Sequence, residues 1–378
     1  MQRSANLTGW QIFFASAESC TVHFSLIGQN SMEEVNELQR KIIRKITSFA
    51  VLIAVMAISF TPKALSELPD LHGHKLIPMG RTTGIKLYSE GAMIVSFADG
   101  ASPARDAGLK TGDVIVAVNE KDVHSNAELQ EALKGLAGSQ VAVTVSRDGM
   151  ERRFRLVPLC GAHEGEARIG AWVRDSMAGI GTITFVDPQS GTFGALGHGI
   201  CDLDTGELMP FDSGSTMRST VSSVTRGKAG EPGTLNGQYD LESDSGVIVK
   251  NTEGGIFGRL TDCTLYQNCD AVELAQSGQV KTGKATILSN VSGDRVEQYD
   301  AEILKIYNGD NGLRDMMIKV TDQRLLQQTG GIVQGMSGSP IIQDGKLIGA
   351  VTHVLVNDPT RGYGIFIENM LEAADQEA

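Results

Sequence analysis

Residues 331–354 read GIVQGMSGSPIIQDGKLIGAVTHV. The second half spells two apolar, β-branched strands around Asp344-Gly345, a pair suited to a tight hairpin. The first half carries chemistry. In Gly335-Met336-Ser337-Gly338-Ser339-Pro340 a serine sits between glycines at the mouth of a strand. A serine nucleophile must protrude from a sharp turn, with backbone N–H groups converging on the developing oxyanion and an imidazole to take its proton. Gly335 would permit the turn and leave its N–H open, and Gly338 would let a substrate approach closely. Ser337 is the candidate nucleophile, and the N–H groups of Gly335 and Ser337 the candidate oxyanion hole. The plain alternative is a glycine-rich turn with an incidental serine.

A second segment weakens that alternative. Ala195-Leu196-Gly197-His198-Gly199-Ile200 places a histidine between glycines, making His198 the candidate base. Between the two, Asp322 closes the apolar stretch Met317-Ile318-Lys319-Val320-Thr321, where an acid facing the histidine would hold its tautomer. Asp202 and Asp358 are the alternative acids, and Asp344 is a turn residue. His353, inside the strand GAVTHVLV, is the rival base, better read as lining a pocket.

The surroundings are strand-rich. From 165 to 378 the chain alternates short strands (IGAWV, GIGTITFVD, SGVIV, QVKTGKATIL, AEILKIY) with Gly-rich turns, the pattern of a β sandwich or barrel pair. Residues 83–160 form a separate unit. There Ser102-Pro103 caps a short helix, Gly112-Asp113 turns into the strand Val114 to Val118, and Ser125-Asn126-Ala127-Glu128 is a capping box opening a second helix. GIKLYSEGAMIVSF reads as two strands joined at Glu90-Gly91, and residues 62–82 as a linker. His72 and His74 in that linker lack a third ligand, so no metal is expected.

Composition sets the outer bounds. The chain has 378 residues, 33 Lys+Arg against 45 Asp+Glu, and a net charge of -12. An acidic chain has no basic surplus to neutralise phosphates, which argues against a nucleic-acid partner. The five cysteines form no CxxC pair, arguing against a structural zinc; Cys263 and Cys269 are the nearest two and are read as structural. The run ITSFAVLIAVMAISF (46–60), preceded by Lys41, Arg44 and Lys45, is the pattern of an export signal or signal anchor. It is expected to act as an uncleaved membrane anchor over 46–61, with everything after Pro62 extracytoplasmic and a cleaved signal as the alternative. Residues 1–45 form an N-terminal extension, within which Met32 offers a conventional short basic lead.

Two resemblances follow. The run SPARDAGLKTGDVIVAVN is similar to a PDZ domain, a small β-barrel with two helices. The resemblance implies a groove that takes a peptide as an added strand. Gly84, Ile85, Lys86 and Leu87 stand where that family has its carboxylate-binding loop, although they copy the usual Gly-Leu-Gly-Phe poorly. Gly-x-Ser-Gly-x-Pro is the pattern of trypsin-like serine peptidases, with Ser339 replacing the usual second glycine. Taken together, apolar anchor, PDZ, ALGHGICD and TGGIVQGMSGSPIIQDGKLIGAVTHVLVNDPTRGYGIFIENML resemble the stage IV sporulation protein B family of serine peptidases. That resemblance implies a mainly β fold, PDZ followed by a two-lobed trypsin-like peptidase, and a triad of His198, Asp322 and Ser337 needing no cofactor. It also implies an extracytoplasmic endopeptidase of endospore formation, acting between forespore and mother cell. Such an enzyme cuts itself and a regulatory partner of a membrane-embedded metalloprotease, which leads to late sigma-factor activation. The alternatives are a catalytically idle PDZ adaptor for membrane-protein tails and a quality-control protease.

Overall fold

Apolar residues alternate with polar ones along most of the chain, and the computed structural model, which describes residues 73–163, 165–307 and 314–375, turns that alternation into nineteen strands and four short helices. The expected anchor, extension and start at Met32 lie outside the described residues. Among the described residues no helix is long and apolar enough to cross a membrane.

Strand β1 runs without interruption from Lys75 to Phe97. This corrects two expectations: residues 75–82 are strand rather than linker, and the chain does not break into two strands at Glu90-Gly91. The PDZ unit follows. Ser102 accepts from the Arg105 N–H and caps α1 (Pro103–Asp106). Next come β2 (Val114–Val118) and β3 (Lys121–Asp122), then α2 (Asn126–Leu133), which Ser125 caps by accepting from Glu128 N–H. Strands β4 (Val141–Arg147) and β5 (Met150–Leu156) complete it. Its core gathers Ile94, Ile115 and Val143 with Leu129 and Leu133 of α2. Asp113, 1% exposed, is held by Arg147 at 2.5 Å and stands at the turn into β2.

The short pair β6 (Leu159–Cys160) and β7 (Ala167–Arg168) leads into β8 (Ala171–Val186). Strand β8 retraces β1 antiparallel, from Phe97↔Ala171 in the PDZ unit to Ile77↔Val186 at the far end. The remaining strands of this half are β9 (Thr192–Ala195), β10 (Ser213–Thr225), β11 (Thr234–Thr252) and β12 (Gly255–Leu260). They pair in the order β10-β11-β12-β9-β8-β1, and a β10–β1 pairing closes the ring into a first lobe. Ile77, Ile85, Ile183, Phe193 and Ile256 fill it.

After β13 (Val272–Glu273), which pairs with Lys75 and Leu76, the second lobe forms. It is a closed barrel of β14 (Gly283–Ser292), β15 (Arg295–Ile306), β16 (Met316–Val320), β17 (Pro340–Gln343), β18 (Lys346–Leu355) and β19 (Asp358–Phe366). Helix α3 (Gln323–Thr329) follows β16, and α4 (Ile367–Asp375) ends the described chain. Tyr299, Ile318, Ile341 and Val351 belong to the core of this lobe. The mainly β expectation, with a PDZ unit and two β lobes, matches this architecture. The order is subtler than expected, because the first strand of the catalytic lobes precedes the PDZ unit.

Candidate active site

Gly335 and Gly338 adopt φ of +96° and +95°, which lets the chain double back on either side of Ser337. A Cβ at Gly338 would lie 2.1 Å from Thr182 O and 2.6 Å from Leu196 N, so only glycine lets this loop meet the first lobe. Ser337 is half-buried and its Oγ donates to Thr352 O at 2.9 Å. The next residue, His353, sets its ring 5.1 Å from that of His198. A Cβ at Gly197 would touch Thr352 Cγ2 at 3.0 Å. Ser337, His198 and His353 therefore converge where the two lobes meet.

His198 Nδ1 lies 2.8 Å from Gly199 O. A carbonyl only accepts, so Nδ1 carries the proton and Nε2 is left as the acceptor a general base needs. Burial pushes the His198 pKa down, only partly opposed by the Gly199 bond. His353, though exposed over part of its surface, is pushed down to about 4 by burial, then by the charges of His198 and Arg314.

The N–H groups of the Ser337 loop divide into bonded and open ones. The N–H groups of Met336, Gly338 and Ser339 are spent on Val333 O, Val351 O and Met336 O. Among the described residues, the N–H groups of Gly335 and Ser337 have no backbone acceptor. Ser339, two positions on, is fully buried and donates to Ser289 Oγ at 3.1 Å, a structural bond.

None of the three acids weighed from sequence is hydrogen-bonded to the His198 imidazole. Asp322 caps α3 and pairs with Arg324 at 2.7 Å, its carboxylate also accepting from Asp300 N at 3.3 Å. The Arg324 guanidinium holds its pKa at about 2. Asp202 pairs with Arg174 and accepts from Asp204 N and Thr205 N; Asp358 binds Thr360 and Arg361. Ser337 and His198 are thus linked through Thr352 and His353, and the acid expected from sequence is paired with Arg324.

The peptide-binding reading of Gly84, Ile85, Lys86 and Leu87 requires correction. These residues lie inside β1 with both edges paired, Ile85 to Gly179 of β8 on one side and Thr216 of β10 on the other. No edge is left for an added strand, and Ile85 is 4% exposed in the first-lobe core. The strand beside α2 is instead the start of β8. Asn126 N donates to Asp175 at 2.8 Å, and Ala171 and Val173 pack on the core that holds Leu129 and Leu133. The short run IGAWV carries that signal, although by its alternation alone it reads as a peptidase strand. Cys263 and Cys269 are free, exposed thiols, as are Cys160 and Cys201. His74 belongs to no cluster of metal-binding type among the described residues.

A glycine-flanked serine and a half-buried histidine brought together between two β barrels, in a chain that carries a PDZ unit, form the arrangement of a serine peptidase. The family model described as SpoIVB peptidase S55 matches residues 165–371, and the chain belongs to that family. A PDZ domain model matches residues 58–157. Among curated proteins none matches. Solved structures similar to parts of the chain include the Rv3671c protease from M. tuberculosis in its active form, at 16% identity over 52% of this chain and 73% of that one, TM-score 0.30. Another is the HtrA-type protease AlgW with decapeptide, at 12% identity over 78% and 63%, TM-score 0.33. A third is the thermostable serine protease AL20 from an extremophilic microorganism, at 11% identity over 53% and 92%, TM-score 0.31.

Proposed function

We propose that the chain is a signalling endopeptidase of endospore formation, anchored in a membrane through residues 46–61 and working outside the cytoplasm. Ser337 is its nucleophile, His198 its base, and the N–H groups of Gly335 and Ser337 its oxyanion hole. On substrate binding the Ser337 hydroxyl turns from Thr352 O to His198 Nε2, which takes its proton as Oγ attacks the scissile carbonyl. His198 then protonates the leaving amine, and water repeats the cycle on the acyl-enzyme. Asp322 completes the triad by family resemblance. That role requires it to leave Arg324, and until then Gly199 O holds the imidazole tautomer. Its substrates would be itself and a regulatory partner of a membrane-embedded metalloprotease, with the PDZ unit as a protein-binding element.

The observation that carries this reading is Ser337 itself, whose own N–H and that of Gly335 have no backbone acceptor, and whose hydroxyl bonds the residue preceding His353, whose ring is 5.1 Å from that of His198, within the span matched by the family model. Fluorophosphonate labelling tests it, since only an activated serine reacts. Labelling of the wild type and none of Ser337→Ala is the expected result. Absence of labelling in both, with the PDZ unit still binding peptide, would favour an idle adaptor.

A further inference from the structure

Two N–H groups serve an oxyanion only while they stay aimed together, and a loop with two positive-φ glycines has many ways to turn them apart. In the stretch Gln334 to Ser339 nearly every other backbone group is bonded. Gln334 O accepts from Leu235 N at 2.9 Å, Met336 N donates to Val333 O at 3.1 Å, and Gly338 N donates to Val351 O at 2.7 Å. The carbonyls of Gly335 and Ser337 both go to one residue of the other lobe. Thr182 of β8 donates its Oγ to Gly335 O at 2.7 Å and its N–H to Ser337 O at 3.0 Å. Thr182 is 0% exposed. Its own carbonyl accepts from Leu196 N at 3.1 Å, so the same residue ties the loop of His198 to the loop of Ser337.

We propose that Thr182 is a positioning residue whose hydroxyl fixes the Gly335 peptide and thereby keeps the oxyanion-binding N–H groups convergent. The proposal rests on Ser337 being the nucleophile. Without the hydroxyl, a buried carbonyl loses its donor, and the loop relieves that cost by rotating the Gly335–Met336 peptide. A turn there is passed on to the two flanking peptide planes, which carry the Gly335 and Ser337 N–H groups, and moves those groups off the oxyanion while the serine and imidazole stay in place. The loss should therefore fall on the transition state and not on substrate binding.

Thr182→Val keeps the shape and removes the bond; Thr182→Ser keeps the hydroxyl. The full chain should show kcat and fluorophosphonate labelling rate reduced roughly ten- to a hundred-fold in the valine variant, with KM nearly unchanged. The acid limb of its pH profile should stay in place, and the serine variant should approach wild type. Wild-type kcat in Thr182→Val would overturn the proposal, as would equal losses in valine and serine variants, or a loss confined to KM. If the valine variant fails to fold, Thr182→Ala removes the same donor without the added methyl and is judged by the same criteria. Labelling that survives in Ser337→Ala would instead overturn the nucleophile assignment.

Discussion

Replacing Ser337 by alanine deletes one hydroxyl at a half-buried turn, where it donates to the Thr352 carbonyl. Ser337→Ala should abolish peptide cleavage, self-cleavage included, with its thermal midpoint close to wild type. Ser339→Ala should do the opposite. It breaks a buried hydroxyl pair with Ser289, at a cost of about 1 kcal/mol, and leaves turnover intact. Rates and melting curves on the two variants separate them; cleavage lost only in Ser339→Ala would shift the nucleophile by two residues. Asp322→Asn carries two effects. Because the Arg324 pair holds Asp322 at about 2, its charge contributes stability that is complete above the ordinary carboxylate range and is lost as pH falls toward 2. The variant should be less stable at neutral pH, with its deficit shrinking in acid. If Asp322 also swings to His198 during turnover, activity should fall by about 10⁴-fold. A fall of only a few-fold would leave Asp322 as a helix cap.

The base predicts its own pH dependence. Burial lowers the His198 pKa, so the imidazole stays neutral, and competent, below the ordinary histidine value. The acid limb of kcat/KM should lie below pH 6.5. The stability sign is the same for His198 and His353. Each is held neutral by folding while the unfolded chain takes up protons, so stability present above about pH 6.5 is lost as pH drops, for His353 toward about 4. Denaturation midpoints between pH 4 and 7 check this, and a stability that rises on acidification in that range would contradict it.

At the scale of elements, legibility followed how locally each feature is encoded. The Ser337 turn, the His198 turn, the Asp344-Gly345 hairpin and both PDZ helix caps are written in consecutive residues, and all are turns or caps where the spacing put them. Strand partners are not local. Apolar alternation in Gly84 to Leu87 says that one face is buried, and nothing in it says that β8 and β10 take both edges. The same blindness hid Thr182, whose role depends on a loop of the other lobe. One consequence is testable. Ile85→Asp does not damage a peptide groove; it sets a carboxylate in the first-lobe core. It should cost about 3 kcal/mol or more and reduce cleavage of soluble peptide and membrane-bound partner alike. Selective loss on the partner, with an unchanged melting curve, would restore the groove reading.

For the whole molecule, the decisive feature is that β1 and β8 each run through both the PDZ unit and the first lobe. Two paired strands form a stiff ribbon, unlike a flexible tether, so the PDZ unit is built into the peptidase. Limited proteolysis should accordingly fail to release either part as an intact fragment.

The same ribbon decides where the protein can be severed and survive. Lys75 to Tyr88 is a stave of the catalytic barrel, though it lies upstream of the PDZ unit. A cut freeing the enzyme from the proposed membrane segment must fall before Lys75. One placed a dozen residues later would pull that stave and leave the ring open between β8 and β10. Anything that nicks the strand itself would thus switch the enzyme off.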